Sequence, residues 1–327
     1  MSSRATIRDV ARRAGVSIAT VSRVVNAKGD VSAATRERVE EAAAALGYAA
    51  DPVARALVSH RTHLVGVVVG DSTGYRDLSL IFFGRVLSAI SRRLGTAGYE
   101  PLLLQSGITD QRFDAGILIG VHPDDQLVLE LVGLGVPIVG VDVHCPARQA
   151  AFVGSDHAGG VRLALAHLHA LGHRRIGHVA GSPRTLPGGA RLAAFRDESA
   201  RLGLELPDDY VRPGDFSSAS GYRETVSLLA LPEPPTAIVA GSDLMALAAL
   251  QAIWDSGRRP GPDVAVVGFD DIEAAALSHP PLTTIRQARE EIGVAAAELA
   301  VELLENDAAG ELEAILPVEL VVRGSTG

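Results

Sequence analysis

The sequence predicts an all-α helix-turn-helix head followed by an α/β core built on parallel sheets. Three observations carry this expectation. Residues 6–26 read as two short helices around a tight turn. From His63 onward, apolar runs of strand length alternate with helical segments. Charge is also divided between the parts. Residues 1–61 hold ten Lys/Arg against six acids, a net of +4, which leaves −13 on the rest of a chain whose total is −9.

In the first helix Ile7, Val10, Ala11 and Ala14 recur at the 3.6-residue period that makes one apolar stripe. Thr6, with Asp9 three residues later, can close a capping box. Gly15 follows at once and supplies the left-handed position that ends a helix. Ser17 then caps a second helix, whose inner face is Val21, Val24 and Val25. Its outer face carries Ile18, Ala19, Ser22 and Arg23. Two helices joined by a Gly-containing turn form a unit whose second helix fits a DNA major groove. An amphipathic hairpin that merely packs on something has the same spacing. The basic balance of the head, set on an acidic body, favours a polyanion partner for the head alone.

Ser32 can cap a third helix, with Val39, Ala42, Ala43 and Leu46 inward and Gly47 at its end. Asp51-Pro-Val-Ala-Arg-Ala-Leu57 then carries a helix start signal, Asp at the cap and Pro at the first position. So short a helix is unstable alone in water and should form only against a partner. In the core, strand-like runs fall at 64–69, 101–104, 115–119, 136–141, 151–153, 175–180, 236–240, 264–267 and 317–322. Helical segments fall at 80–97, 125–134, 161–171, 191–202, 244–256 and 290–304, and several stop at a glycine. Such alternation implies parallel sheets covered on both faces, with ligands at the C-terminal strand ends.

Composition is that of an ordinary globular protein. The lone Cys145 excludes an internal disulfide and fits a reducing compartment. Arginines interrupt any N-terminal apolar leader. The longest apolar runs fall far short of the roughly 20 residues that span a bilayer. A cytoplasmic protein with no membrane association is expected.

The motif Asp9-Val-Ala-x-x-Ala-Gly-Val-Ser-x-x-Thr-Val-Ser-Arg-Val-x-Asn26 resembles the opening of the LacI/GalR family of bacterial transcription regulators. Leu46-Gly-Tyr48, Gly172-His-Arg-Arg-Ile176, Val267-Gly-Phe-Asp-Asp271 and Pro281-Leu-Thr-Thr-Ile285 extend the likeness over nearly the whole chain. The resemblance implies a helix-turn-helix DNA-binding domain at 1–49, a hinge at 50–62 and a periplasmic-binding-protein-like core at 63–327. That core would hold two parallel-sheet subdomains facing across a cleft and joined by three crossings. It implies a homodimeric repressor on double-stranded operator DNA, controlled by a small-molecule effector, a sugar, with a nucleoside or other metabolite as the alternative. The DNA-contacting set would be Thr6, Ser17, Ile18, Ala19, Thr20, Ser22, Arg23 and Asn26. Leu57 would be the hinge wedge in the minor groove, unless it packs on its own domain. Arg191, Phe216 and Asp270 match effector-binding positions, and Asp71, at the end of the first strand, joins them as a candidate. A bidentate Arg, a carboxylate and an aromatic face suit a hydroxyl-rich ring.

Two departures qualify the likeness. Ser242-Asp243 stands where many relatives carry Asn-Asp. Only ten residues, Gln105–Asp114, separate two strand-like runs, too few for a parallel crossover with its helix. Either those strands are not parallel neighbours or a helix has been lost. Enzyme signals are weak. Gly70-Asp-Ser-Thr-Gly74 has the form of a nucleophile elbow, but no helix follows the serine at once. His167, His169, His173 and His178 lack the spacing of a metal set. No dinucleotide fingerprint or P-loop is complete, so no cofactor, metal or catalytic set is expected. After Val322 no heptad tail follows that would raise a dimer to a tetramer.

Overall fold

The computed structural model describes residues 5–25, 31–48, 61–70, 81–104, 113–122, 124–305 and 312–327. Asn26, Leu57, Asp71, the 71–74 part of the elbow-like loop and positions 105–112 lie outside the described residues. The chain divides into two compact units, Met1–His63 and Leu64–Gly327.

The first unit holds α1 (Ile7–Ala14), α2 (Ile18–Val25) and α3 (Ala33–Leu46). The Asp9 carboxylate accepts from both the backbone N–H and the hydroxyl of Thr6, at 3.0 and 2.7 Å, the acidic half of the expected box. Gly15 is left-handed at φ +65°, and Ser17 Oγ accepts from the Thr20 N–H at 3.1 Å. These caps fix where each helix starts. Val10, Ala11, Ala14, Val21, Val24, Val39 and Ala42 close into one buried cluster. The apolar stripes therefore face one another as their period requires.

The second unit runs β1 (Leu64–Val69), α4 (Ile81–Thr96), β2 (Glu100–Leu104), β3 (Ala115–Ile119), α5 (Gln126–Gly133), β4 (Ile138–Val141) and β5 (Ala150–Ser155). It continues with α6 (His157–Ala170), β6 (Ile176–Val179), α7 (Leu186–Arg201), β7 (Val211–Arg212), α8 (Ser218–Leu229), β8 (Ala237–Ala240) and α9 (Asp243–Asp255). It ends with β9 (Ala265–Asp270), α10 (Glu273–Leu277), β10 (Thr283–Gln287), α11 (Arg289–Glu305), β11 (Leu312–Leu316) and β12 (Val318–Val321). One sheet is ordered β11-β5-β4-β3-β1-β2, the other β12-β10-β9-β8-β6-β7. All pairings are parallel except β12 on β10.

The chain passes between the sheets three times. It leaves the first sheet after Ser155, returns through Gln287–Arg289, and leaves again at Pro317. Helix α6 packs on the second sheet and α11 on the first, so each subdomain borrows a helix or strand from a distant part of the sequence. For the short connection the first alternative holds, while a lost helix would fall at 105–112, outside the described residues. β2 and β3 flank β1 on opposite sides, each parallel to it, and are not neighbours. The helix expected at 191–202 starts earlier: α7 already includes Gly188 and Gly189, and the Thr185 hydroxyl caps it by accepting from the Gly188 N–H at 3.2 Å. Pro187 in the first turn suits that start.

Beneath α7 lies His178 of β6, buried and stacked on Phe195 with centroids 4.6 Å apart. Its Nδ1–H donates to the Val239 carbonyl at 2.9 Å. Burial pushes its pKa down to about 4. The unfolded chain takes up this proton near pH 6.5, whereas the folded chain refuses it until about pH 4. The stability is full above pH 6.5 and lost as pH falls toward 4, by about 3 kcal/mol over the whole window. Denaturant unfolding of wild type and His178→Phe at pH 7 and pH 5 should show a steeper loss in the wild type. Parallel losses would contradict it.

Candidate functional site

Two places bring the expected residues together. On the first unit, α2 turns Val21 and Val24 inward and leaves Ile18, Ala19 and Arg23 in solvent, with Ile18 45% exposed. Ser17 is also exposed, and Thr20 and Ser22 are half-buried on the same side. The Ser17 and Thr20 hydroxyls lie 2.9 Å apart, so part of their capacity serves the helix start. Thr6 is exposed but spends its hydroxyl on Asp9. What remains outward is a guanidinium and two apolar side chains over a polar rim. That set can donate a forked pair of hydrogen bonds and cover methyl groups.

The second place is a cavity between the two sheets. Phe83, Ile119, Val121 and Asp142 wall it from the first sheet; Thr185, Arg191, Phe216, Ser242, Asp270 and Gln287 wall it from the second. Asp270 is the last residue of β9, where an α/β sheet presents its ligand groups. Its φ is +125°, and Asp142, Phe216 and Asp271 also have positive φ. Such backbone strain costs on the order of 1–3 kcal/mol per residue and collects where side chains must be aimed. Phe216 folds over Gly181, where any Cβ would run into its ring.

Arg191, on the second turn of α7, lies buried with its guanidinium carbon 3.6 Å from the centre of the Phe269 ring and 6.0 Å from that of Phe216. It donates to the Gly241 carbonyl and faces Asp270 Oδ1 at 3.9 Å. Asp270 Oδ1 accepts from Gln287 Nε2 at 2.7 Å. Burial pulls the Arg191 pKa down, and the charges of Asp270 and Asp142 oppose it. Burial raises the Asp270 pKa against the pull of Arg191. The expected trio of Arg191, Phe216 and Asp270 therefore shares one cavity. Asp71 lies outside the described residues.

The departure at 242–243 has a structural account. Ser242 caps α9, accepting from the Met245 N–H at 3.4 Å, and lines the cavity. Asp243 turns into the core, accepting from the Ile272 N–H at 2.8 Å and from the Thr284 hydroxyl. Burial, then the neighbouring Asp270 charge, pushes its pKa up to about 7. Sequence reasoning missed Asp142, His157 and Gln287. His157 Nε2 lies 2.9 Å from Asp142 Oδ1, and its Nδ1 takes the Arg191 guanidinium at 3.3 and 3.4 Å. Asp142 follows a strand the sequence shows, whereas Gln287 ends β10, whose polar residues conceal it. Thr185 and Ser242 read as caps and hide their place in the cavity.

A forked cation over an aromatic ring, opposed carboxylates and an apolar wall can hold a ligand whose hydroxyls both donate and accept. Among the described residues no cluster of His, Cys, Asp and Glu is arranged to hold a metal.

Residues 6–51 match the family described as bacterial regulatory proteins, lacI family, and residues 165–326 match a periplasmic binding protein-like domain. The chain is 37% identical to the HTH-type transcriptional regulator CelR of Thermobifida fusca, covering 98% of both chains. It is 35% identical to the lactose operon repressor of Escherichia coli (strain K12), over 98% of this chain and 90% of that one. Among solved structures, the Lac repressor dimer bound to operator and the anti-inducer ONPF superposes with a TM-score of 0.82 at 33% identity, covering 99% of both chains. A CelR–cellobiose complex superposes with a TM-score of 0.75 at 35% identity, covering 98% of this chain and 100% of that one.

Proposed function

The chain belongs to the lacI family of bacterial regulatory proteins, and from that premise we propose that it is a homodimeric repressor of transcription whose cleft holds a sugar. The head pair reads a two-fold operator, and the effector occupying the cavity resets the two subdomains. To move such a switch usefully the effector must favour one setting by several kcal/mol. The observation that carries this reading is the cavity itself, with Arg191, Asp270 and Phe216 converging on one space. CelR's cellobiose complex supports a sugar. A nucleoside or other metabolite remains the alternative effector.

The same features favour binding over turnover. The cavity's charged groups are tied to one another and to the backbone, an arrangement that orients a ligand. We therefore read the protein as a regulator and not an enzyme, working in the cytoplasm with its DNA. A transport solute-binding protein would share the core but has no use for the head. The domain plan of head to 49, hinge at 50–62 and core from 63 belongs to the same proposal. No helix among the described residues is long and apolar enough to cross a membrane. A thermal-shift screen of sugars and nucleosides tests the effector class, since ligand at about 100 times its Kd adds roughly 2.7 kcal/mol of stability.

Two expected results concern the DNA. Arg23 is exposed on the last turn of α2, and arginine prefers the O6 and N7 of guanine. Arg23→Ala should cost about 1–3 kcal/mol and relax preference at one base pair per half-site. Equal weakening on operator and random DNA would make Arg23 a phosphate contact only. Leu57 is proposed as the minor-groove wedge. Leu57→Ala should reduce operator bending and affinity without touching effector binding; unchanged bending in a gel-phasing assay would remove it from that role.

A further inference from the structure

His157 is the first residue of α6, at the first crossing between the sheets, and it is buried. It touches both subdomains. Asp142, at the end of β4, belongs to the first; Arg191, on α7, belongs to the second. A guanidinium offers only N–H donors. Nδ1 of His157 must therefore accept from Arg191, so the ring proton sits on Nε2 and donates to Asp142 Oδ1 at 2.9 Å. Both ring nitrogens are used in opposite senses, and only the neutral Nε2–H form satisfies both. Arg191 goes on to Asp270 at 3.9 Å, which Gln287 holds at 2.7 Å. One buried polar chain thus runs from the first sheet to the second along the cavity wall.

We propose that His157 is a positioning residue that holds Arg191 for the effector and, through Asp142, links that hold to the relative setting of the two subdomains. The inference rests on the cavity being the effector site. Bodies joined by short crossings move against one another as rigid parts, and a link between them is either made or broken. Among the described residues the pairs Arg184–Asp124 and Arg85–Glu273 also span the gap, but both are exposed and solvent-screened, and such pairs contribute little. Arg289, at the second crossing, reaches the Asp271 carbonyl at 2.8 Å and Glu273 at 3.9 Å. The His157 link is out of water, where hydrogen bonds are stronger and broken ones costlier. An effector that takes N–H donors from Arg191, or occupies the Asp142 carboxylate, competes for the same bonds and loosens the link.

The experiment needs neither effector nor DNA. In the full chain carrying Cys145→Ala, spin labels are placed at Leu129→Cys on α5 and Leu171→Cys after α6, both exposed positions on opposite subdomains. Labelled chain is diluted with unlabelled chain, and the interlabel distance is read by pulsed electron paramagnetic resonance. His157→Phe, which keeps a ring but loses both bonds, should shift or broaden the distribution. His157→Gln, with one donor and one acceptor, should restore the parent distribution. A His157→Phe distribution equal to the parent's would overturn the proposal. Should His157→Phe fail to fold, ring-nitrogen shifts of the labelled wild type decide. A neutral Nε2–H tautomer at His157 is expected; an Nδ1–H tautomer would overturn it. Either failure removes the role of His157 and leaves the DNA-binding regulator standing, which is tested separately.

Discussion

Asp270→Asn and Arg191→Ala are expected to weaken effector binding by roughly 10- to 150-fold, the equivalent of about 1.5–3 kcal/mol for a hydrogen bond to a charged group. Operator binding without effector should stay near normal in Asp270→Asn, giving a regulator that holds DNA and no longer responds, whereas Arg191→Ala also breaks the bond to His157. Asp270 accepts and Arg191 donates, so the two recognise opposite ends of a hydroxyl's capacity. The variants differ in their side effects. Arg191→Ala also removes the cation stacked on Phe269 and the partner of Asp270, so its melting temperature should fall as well. Asp270→Asn keeps size and can still face Gln287, so it separates recognition from stability. Calorimetric titration with the sugar found by thermal shift, beside unfolding curves, reads both. Lower melting with unchanged affinity in both variants would remove these residues from the site.

Gly293→Leu is expected to destabilise the first subdomain by about 1–2 kcal/mol. Helix α11 crosses α4 at this residue, and a Cβ there would lie 2.7 Å from Ala89 Cβ and closer still to the Val86 carbonyl. Both obstacles sit on a helix whose Val86, Ala89 and Ile90 are buried, so neither can swing away as a long side chain would. Replacing a helical glycine gains up to ~1 kcal/mol in propensity. Overpacking a tight core costs typically ~1–3 kcal/mol and sometimes more. A leucine adds three carbons beyond a Cβ that is already too close, so the cost wins. Urea unfolding compares the two proteins; equal midpoints would show that the helices can separate freely.

The sequence made some of this architecture plain and hid the rest for physical reasons. The head was legible because its apolar stripes, caps and glycines agree at every level. Asp270 was legible because a run of apolar residues ends on it. β10 was not, because Thr283, Thr284 and Gln287 are polar yet buried. Their partners, Ser325, Thr326, Asp243 and Asp270, come from other parts of the chain. No local period reveals that satisfaction. β11 alternates half-buried with exposed residues as an edge strand, and Glu313 breaks its short apolar run. α8 packs on α9 through Gly221 set against Met245, and its buried face mixes Ser220, Glu224 and Thr225 with Leu228 and Leu229, so no apolar stripe marks it. His157 escaped because a lone histidine at a helix start reads as ordinary; only the distant Asp142 and Arg191 make it a junction.

Reading of a specific duplex through α2, by a symmetric pair of chains, is tested by selection from a random duplex DNA library with the full-length protein, sequenced after several rounds at fixed salt. One two-fold symmetric motif should be enriched, and its guanine preference in each half-site should weaken with Arg23→Ala. Recovery of unenriched sequence, bound and released by salt alone, would contradict it.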